Sequence, residues 1–518
     1  MRRRYLTLTA LLAWVTACSG EREAEPTAAG GGGTAVVCMV SEPVTLNAFV
    51  SPAQASADLT PVLFSTLVRT DDAGEPAPGL ASDWEWGEEG RTLRFGLRPG
   101  VTWHDGQPVT AEDVAFTLRI AADSTYAYWS QADFASLQEV TVVDSSTVHL
   151  RFAAPYAAGL EPFALLPIQP RHLLADIEGE AFARAEYQRA PVGSGPYRLR
   201  GRTAGGDVIL ERRAEGTGPE RLVLRFIPEV ATRLVELQTG AVHACVMGGA
   251  AADEVQAAQQ LQALPLGPAG VQFVALDTRR PPLDDVRVRR AMSAALDRQT
   301  LAQVTSPVAR PAGSFVPWSS PFRVDTLRQP DADLELAAAL LDSAGYSLGD
   351  DGIRVGPDGA PLRLTIASDQ TGQQLLTLIQ GQLRRAGIDA RIELMEAATF
   401  YEQIQDPERR PMAMAVTLNP EKIRAYDPYG ELHSEGFLNL SSYRSPTVDS
   451  LTEALRRTTD DADRARMFAQ LQRLVSRDVP ALYIAYAPRI LAVGPGLEGV
   501  DVSSTGPFAN LEEWRVRR

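Results

Sequence analysis

The side chains best suited to chemistry are scattered along this chain of 518 residues, which holds five histidines and three cysteines. The histidines form neither an HExxH motif nor a His-x-His pair, the spacings that bring metal ligands together on one face of an element. Ser194 stands in VGSGP, which lacks the G-x-S-x-G spacing of a nucleophile elbow. The histidines are His104, His149, His172, His243 and His433.

Other catalytic signatures are also missing from the sequence. It contains no CxxC pair, no Walker A motif and no GxGxxG that follows a strand, since the glycines at 30–33 precede any strand pattern. Carboxylates are numerous, but no pair of them differs from a solvated acidic surface. The sequence therefore predicts no catalytic residue, no metal site and no cofactor, and it favours a protein that is not an enzyme.

A different kind of site is indicated by loops that combine aromatic and polar residues, because ligand pockets use aromatic walls and a few polar groups. Three such loops are STYAYWSQADF, AGSFVPWSS and LNPEKIRAYDPYG, and a further turn-rich loop near the N-terminus, SEPVTLNAF, contains Asn47. The alternative for each aromatic residue is an ordinary packing role. The candidate ligand-binding residues are Asn47, Trp129, Trp318, Asn419, Arg424, Tyr426 and Asp427.

The N-terminus has the features of an export signal. Three arginines precede the apolar stretch Leu6–Ala17, which is too short to span a bilayer. The stretch ends in Val-Thr-Ala-Cys and resembles a bacterial lipobox, so residues 1–18 are predicted to be a lipoprotein signal peptide with lipidation at Cys18. The alternative is an ordinary secretory signal. Residues 19–33 are rich in glycine and predict a flexible tether, which would anchor an extracytoplasmic protein to the membrane.

Composition limits the class of protein further. The net charge of −15 argues against a nucleic-acid partner, since binding to phosphates needs a basic face. Beyond the signal, no stretch approaches 18 apolar residues, so no membrane-spanning helix is predicted. Cys38 and Cys245 both lie in apolar, strand-like runs, AVVCMV and AVHACVM. They are either inert core thiols or a disulfide, which an oxidising compartment would permit.

The elements that would position these residues follow an α/β order. Leu80 to Phe116 contains a strand around Trp84, a hairpin turn, the alternating strand Leu93–Leu97, and a helix whose first turn pairs Thr110 with Asp113 in capping-box spacing. Later segments alternate between strands and helices, which predicts a partly parallel sheet. The predicted helices are 59–68, 229–239, 285–304, 333–344, 373–386 and one or two helices in 446–476, broken near 460–463.

Four segments together resemble a known family. They are Leu80–Phe116, VGSGPYRL at 192–199, PPLDDVRVRRAMSAALDRQTL at 281–301, and the run from Asn439 through the apolar strand after Pro480. Their types and order are similar to the extracytoplasmic solute-binding proteins of peptide-type ABC importers, bacterial family 5. The likeness extends over nearly the whole chain after the tether.

The resemblance implies an α/β fold with two lobes around a cleft, the periplasmic-binding-protein fold (type II, cluster C), with mixed sheets. Lobe I would comprise 34–58, 190–276 and 484–518, and lobe II would comprise 277–483. The resemblance also implies an extra subdomain, 59–189, on the N-terminal lobe. The chain would cross between lobes near 275–278 and 484–487, and would be a monomer.

The function that the resemblance implies is capture of a peptide-like or other small solute and its delivery to an ABC permease. Alternatives are a sensor that presents its closed form to a regulator, and an exported hydrolase, which the missing motifs disfavour. Peptide binders of the family often carry an Asp shortly before Asp-Pro, but here Arg424 stands near that place, ahead of Asp427. A cation there favours a carboxylate or phosphate over an α-ammonium group.

Overall fold

The computed structural model describes residues 33–517 except a set of short gaps. The predicted signal peptide, Cys18 and the tether lie outside the described residues, and so do Asn419, Arg424 and Tyr426. The gaps are 44, 52, 72–74, 127, 215–216, 307, 319, 370–371, 407, 419–426, 437 and 503–505.

Strands and helices alternate through most of the described chain. The strands are β1 (Thr34–Met39), β2 (Val68–Thr70), β3 (Pro76–Pro78), β4 (Ala81–Gly87), β5 (Thr92–Leu97), β6 (Leu137–Asp144), β7 (Thr147–Phe152), β8 (Tyr197–Arg202), β9 (Val208–Arg212), β10 (Arg221–Phe226), β11 (Ala244–Gly248), β12 (Gln262–Leu276), β13 (Arg310–Pro311), β14 (Ser347–Leu348), β15 (Arg354–Val355), β16 (Arg363–Asp369), β17 (Asp389–Met395), β18 (Ala413–Leu418), β19 (Ala481–Val493), β20 (Leu497–Glu498) and β21 (Arg515–Val516).

The helices vary from single turns to five turns. They are α1 (Gln54–Ala57), α2 (Thr60–Leu63), α3 (Ala111–Ala122), α4 (Glu161–Leu165), α5 (Arg171–Leu174), α6 (Glu180–Arg184), α7 (Val230–Thr239), α8 (Ala252–Ala257), α9 (Val286–Ala295), α10 (Arg298–Thr305), α11 (Leu334–Ser343), α12 (Gln373–Arg385), α13 (Ala397–Gln405), α14 (Tyr429–Leu432), α15 (Pro446–Leu455) and α16 (Asp461–Asp478).

A large mixed sheet forms the centre of the molecule, with strand order β17-β16-β18-β12-β19-β11-β1-β10-β9-β8. β1 runs parallel to both β10 and β11, whereas β12 and β19 run antiparallel to each other. Five of the six β1 residues are buried, as expected of a parallel strand that is covered on both faces. The predicted α/β class with mixed sheets is confirmed.

Two long strands carry this sheet from one half of the molecule to the other. β12 and β19 pair from Gln262 opposite Val493 to Ala275 opposite Ala481. At one end β19 also pairs with β11, and at the other end β12 also pairs with β18. The pairing shifts between Leu266 and Gly270, which marks a bulge near the middle of the ladder.

The two strand cysteines lie side by side in this sheet. Cys38 of β1 and Cys245 of β11 are register partners whose Cα atoms are 4.4 Å apart, and they form a disulfide. Both are fully buried in an apolar cluster. The disulfide therefore joins two neighbouring parallel strands of the central sheet.

A smaller sheet, β4-β5-β7-β6, lies within the predicted extra subdomain. The predicted hairpin is confirmed, and β5 alternates between buried and partly exposed residues because only one face meets the core. The predicted start of α3 is confirmed as well, since the backbone N–H of Thr110 donates to Asp113 at 2.9 Å. Fully buried aromatic rings, among them Phe95 and Phe163, fill the space beneath this sheet.

Two helix predictions are wrong in informative ways. The predicted helix 59–68 ends at Leu63, because the carbonyl groups of Thr66 and Leu67 accept hydrogen bonds from the distant residues Leu80 and Ala81. This long-range pairing outweighs the local helical pattern. The predicted helix 285–304 is two helices, since Asp297 leaves the helical conformation and caps α10 by accepting from the Thr300 N–H.

His104 joins the subdomain to residues 193–195. The Gly193 N–H donates to its Nδ1 at 3.0 Å, and its Nε2 lies 3.1 Å from the Gly195 carbonyl. Because the Gly193 N–H can only donate, the ring is neutral and carries its proton on Nε2. Burial lowers the pKa of His104 to about 4. A Cβ atom on Gly193 would lie 1.7 Å from the Leu63 carbonyl oxygen, so the glycines permit close packing.

We expect this contact to give the protein an acid-sensitive stability. The pKa of His104 lies below its ordinary value near 6.5, so its contribution is fully present above about pH 6.5 and falls as the pH drops to about 4. The loss is about 3 kcal/mol at most. The measurement is the melting temperature of wild type and His104→Asn between pH 7.5 and 4.5. The difference in melting temperature between wild type and the variant should become smaller at acid pH. A difference that stays constant with pH would contradict the proposed role of neutral His104.

Candidate functional site

Three cavities in the described part of the chain adjoin one another and have volumes of about 570, 320 and 370 Å³. The first and second share Arg69 and Glu161 as lining residues, and the second and third share Tyr156 and Arg464. We call these three cavities, which share wall residues, the groove. The 570 Å³ cavity is called the main cavity.

The main cavity is lined by residues of the segments 48–98, 129–165 and 196–270, and by residues 489 and 506–512. Its floor is apolar, with Phe64, Leu266 and Phe508 all nearly fully buried. The half-buried ring of Trp129 adds an aromatic wall. An apolar cavity of this size with a few polar groups is typical of a small-molecule site.

The charges of the main cavity are arranged unevenly. Asp58 and Arg489 form a two-point ion pair at 2.7 and 2.9 Å, with the Asp58 side chain buried. Arg69 and Arg98 line the same cavity. Burial lowers the pKa of Arg98, and the positive charge of Arg69 lowers it further. Asp58 thus neutralises Arg489, whereas Arg69 and Arg98 have no ion-pair partner among the described residues. Glu161 and Glu512 also line this cavity.

The other two cavities lie between the subdomain and the helices of lobe II. Tyr156 stacks on Phe152 with 4.3 Å between ring centres and lines both cavities. Arg464 of α16 faces it and donates to the Leu455 carbonyl at 3.0 Å. Burial lowers the pKa of Arg464, and three carboxylates around it, Asp461 first, act in the opposite direction. The groove therefore runs from lobe I across the subdomain to lobe II.

The structure brings two of the predicted ligand-binding residues to this groove. Trp129 lines the main cavity. Asp427 lines the cavity next to α15 and α16, where it pairs with Arg456 at 3.1 Å and accepts from the Tyr429 N–H. The two residues lie in different cavities, so they would contact different parts of one extended ligand.

Trp318 does not line any of these three cavities, and its predicted role in ligand binding stays a prediction. Its ring is covered by the guanidinium groups of Arg310 and Arg323, at 4.2 and 3.9 Å from the ring centre. It also lies 6.1 Å from the ring of Tyr486 in the crossing strand β19. Trp318 is nonetheless 40% exposed, so part of it remains open to solvent.

Asn47 lies in the scaffold and does not line the three cavities, and its predicted role as a ligand contact stays a prediction. Its side chain is fully buried and donates to Gln169 at 2.8 Å and to Gln188 at 2.9 Å. Its oxygen accepts from the Phe49 N–H and caps a short 3₁₀ helix. Every polar atom of the side chain is therefore used within the protein.

The remaining site predictions, Asn419, Arg424 and Tyr426, fall on residues that are not described and stay predictions. The sequence reasoning missed Arg69, Arg98 and the Asp58–Arg489 pair. No local signal could have found the pair, because its members are 431 positions apart. Arg98 lies in the strongly patterned segment 80–116, but its neighbours there mark turns and strands rather than a site.

The described residues lack two further features. No group of three or more potential metal-ligating side chains is found among them. No helix among them has the length and apolar character needed to cross a membrane.

This fold, with two lobes, a mixed sheet that passes between them and a groove alongside, is that of a periplasmic type solute-binding protein (type II, cluster C). The model for the bacterial extracellular solute-binding proteins, family 5 (middle region), matches residues 75–419. The chain belongs to this family.

The chain is also similar to individual solute-binding proteins. The oligopeptide-binding protein AppA of Bacillus subtilis is 23% identical over 538 residues, covering 98% of this chain and 97% of its own. The structure of AppA in complex with a nonapeptide superposes with a TM-score of 0.81 at 23% identity, covering 94% of this chain and 99% of its own. The ABC transporter substrate-binding protein CtaP of Listeria monocytogenes gives 0.82 at 20% identity, covering 94% and 100%.

The buried position of Asn47 predicts a separation between stability and binding. Replacing it with Ala removes hydrogen bonds to Gln169 and Gln188 and leaves buried amide groups unpaired, which should cost about 1–3 kcal/mol of folding free energy. The measurements are the melting temperature and the amount of solute retained per folded molecule. We expect the first to fall and the second to stay unchanged. Loss of retention in a fully folded variant would support the ligand contact predicted for Asn47.

Proposed function

We propose that this protein is the substrate-binding component of an ABC importer, and that it captures a peptide-like solute in the groove. The observation that carries the proposal is the groove of three cavities that share wall residues, on a fold shared with an oligopeptide-binding protein. Three adjoining cavities suit an extended ligand better than a compact one.

The binding cycle follows from how the lobes are joined. β12 and β19 connect lobe I (34–58, 190–276 and 484–518) with lobe II (277–483), boundaries that we propose from the sequence. Movement about these strands would open and close the groove, because a few residues at strand ends absorb such motion. Closure would bury the solute between the subdomain (59–189) and α16. The permease would then recognise the closed shape, and no chemical change of the solute is needed.

We further propose that the protein is exported, cleaved before Cys18 and anchored through a lipid on that residue, and that it acts as a monomer. The disulfide between Cys38 and Cys245 supports an oxidising compartment. The glycine-rich residues 19–33 would then give the folded part freedom to reach a permease in the same membrane.

Mass spectrometry of the full chain made in a bacterium and extracted with detergent tests the anchoring. We expect a mass that begins at Cys18 and includes a covalently attached lipid, and alkylation without reductant should leave Cys38 and Cys245 unmodified. The control is Cys18→Ala, which should yield no lipidated form. A lipid-free product from the wild-type chain would contradict the anchor, and alkylated strand cysteines would contradict the disulfide.

Retention of peptides tests the binding function. The protein lacking residues 1–18 is mixed with a random tetrapeptide library, separated from unbound peptides, and the released peptides are analysed by mass spectrometry. We expect wild type to retain peptides and Trp129→Ala to lose about tenfold or more in affinity, since burying an aromatic side chain contributes about 1.5–3 kcal/mol. Trp318→Ala is the matched control and should retain the same peptides. The absence of retained peptides would overturn the proposed solute class.

A further inference from the structure

The main cavity contains two arginines that share one short stretch of backbone. The Arg69 Nε donates to the Pro78 carbonyl at 3.1 Å, and the Arg98 backbone N–H donates to the Leu80 carbonyl at 2.9 Å. Both side chains therefore start beside residues 78–80, and both line the cavity. Their position is fixed by the pairing of β2 with β3 and by the end of β5.

Among the described residues, no carboxylate lies within ion-pairing distance of either guanidinium. The third arginine of the cavity, Arg489, differs because Asp58 neutralises it with two hydrogen bonds. The chain as a whole has 65 acidic and 50 basic residues, so carboxylates are in excess. Arg69 and Arg98 therefore line one cavity with guanidinium groups that no described carboxylate pairs with.

Both arginines are exposed to solvent, so water hydrates them and an anion can reach them. Partial desolvation lowers the pKa of Arg98 and the charge of Arg69 lowers it further, so the two positive groups repel each other. Guanidinium groups have a planar set of N–H donors that matches the two oxygens of a carboxylate or phosphate. A bound anion would relieve the repulsion and use donors that the protein leaves open.

We propose that Arg69 and Arg98 form an anion subsite in the main cavity, and that the solute carries a carboxylate or phosphate group that binds there. This inference rests on the proposed function and specifies the chemical class of its solute. The apolar floor at Phe64 and Phe508 places an uncharged body next to the anion. The subsite belongs to the subdomain side of the groove.

The test uses three tetrapeptide libraries that differ only in charge: one with a free C-terminal carboxylate, one with a C-terminal amide, and one with a C-terminal amide and an internal phosphoserine. Each is offered to the protein lacking residues 1–18, as wild type, Arg69→Gln and Arg98→Gln. The matched control is Arg184→Gln, an exposed arginine of the same subdomain that pairs with Glu180.

We expect wild type and Arg184→Gln to retain the carboxylate library, the phosphoserine library or both at least tenfold better than the plain amide library. Arg69→Gln and Arg98→Gln should each remove that preference. Without solute, the melting temperature of Arg98→Gln should stay equal or rise, because a repulsion is removed, whereas a purely structural arginine would lower it.

Equal retention of the plain amide library by wild type would overturn the anion subsite while leaving the proposed function intact. An unchanged preference in both arginine variants would overturn it in the same way. If wild type retains peptides from none of the three libraries, the result contradicts the proposed peptide-like solute and therefore also the anion subsite.

Discussion

The groove depends on how closely residues 193–195 pass the end of helix α2. A side chain at Gly193 or Gly195 would collide with the backbone of residues 62–64, so this approach is available only to glycine. His104 then fixes the approach with two hydrogen bonds from the subdomain side. Since Phe64 and Pro196 follow directly and both line the main cavity, this contact sets the separation of its walls.

The second constraint is the pairing of the crossing strands, which determines what can move. β12 and β19 are hydrogen-bonded along most of their length, so they resist sliding, but the bulge between Leu266 and Gly270 interrupts the ladder. Arg489 stands opposite Leu266 and binds Asp58 of lobe I. Arg489 therefore lies both in the main cavity and on β19, one of the strands about which the lobes would turn. A change in the twist of β19 would move this wall of the cavity.

Much of the fold could be predicted because its signals are local. The alternation of Leu93, Phe95 and Leu97 and the Thr110–Asp113 spacing specify their elements within a few residues. What the sequence does not reveal is non-local. Helix 59–68 is cut short by pairing with residues 80–81. Asn47 donates to Gln169, and the Trp318 ring lies near Tyr486, both far along the chain. The site is the part least predictable from the sequence, because Arg69, Arg98 and the Asp58–Arg489 pair meet only after three distant segments have folded together.

The order of strands in the central sheet also constrains how the protein is made. β1, near the start of the chain, lies beside β11, and β11 needs β19, which begins at Ala481. Lobe I thus cannot complete its sheet until almost the whole chain has been synthesised. A chain that stays unfinished for so long is well suited to threading through a membrane channel before it folds, and its slow, long-range pairing makes early folding on the ribosome unfavourable.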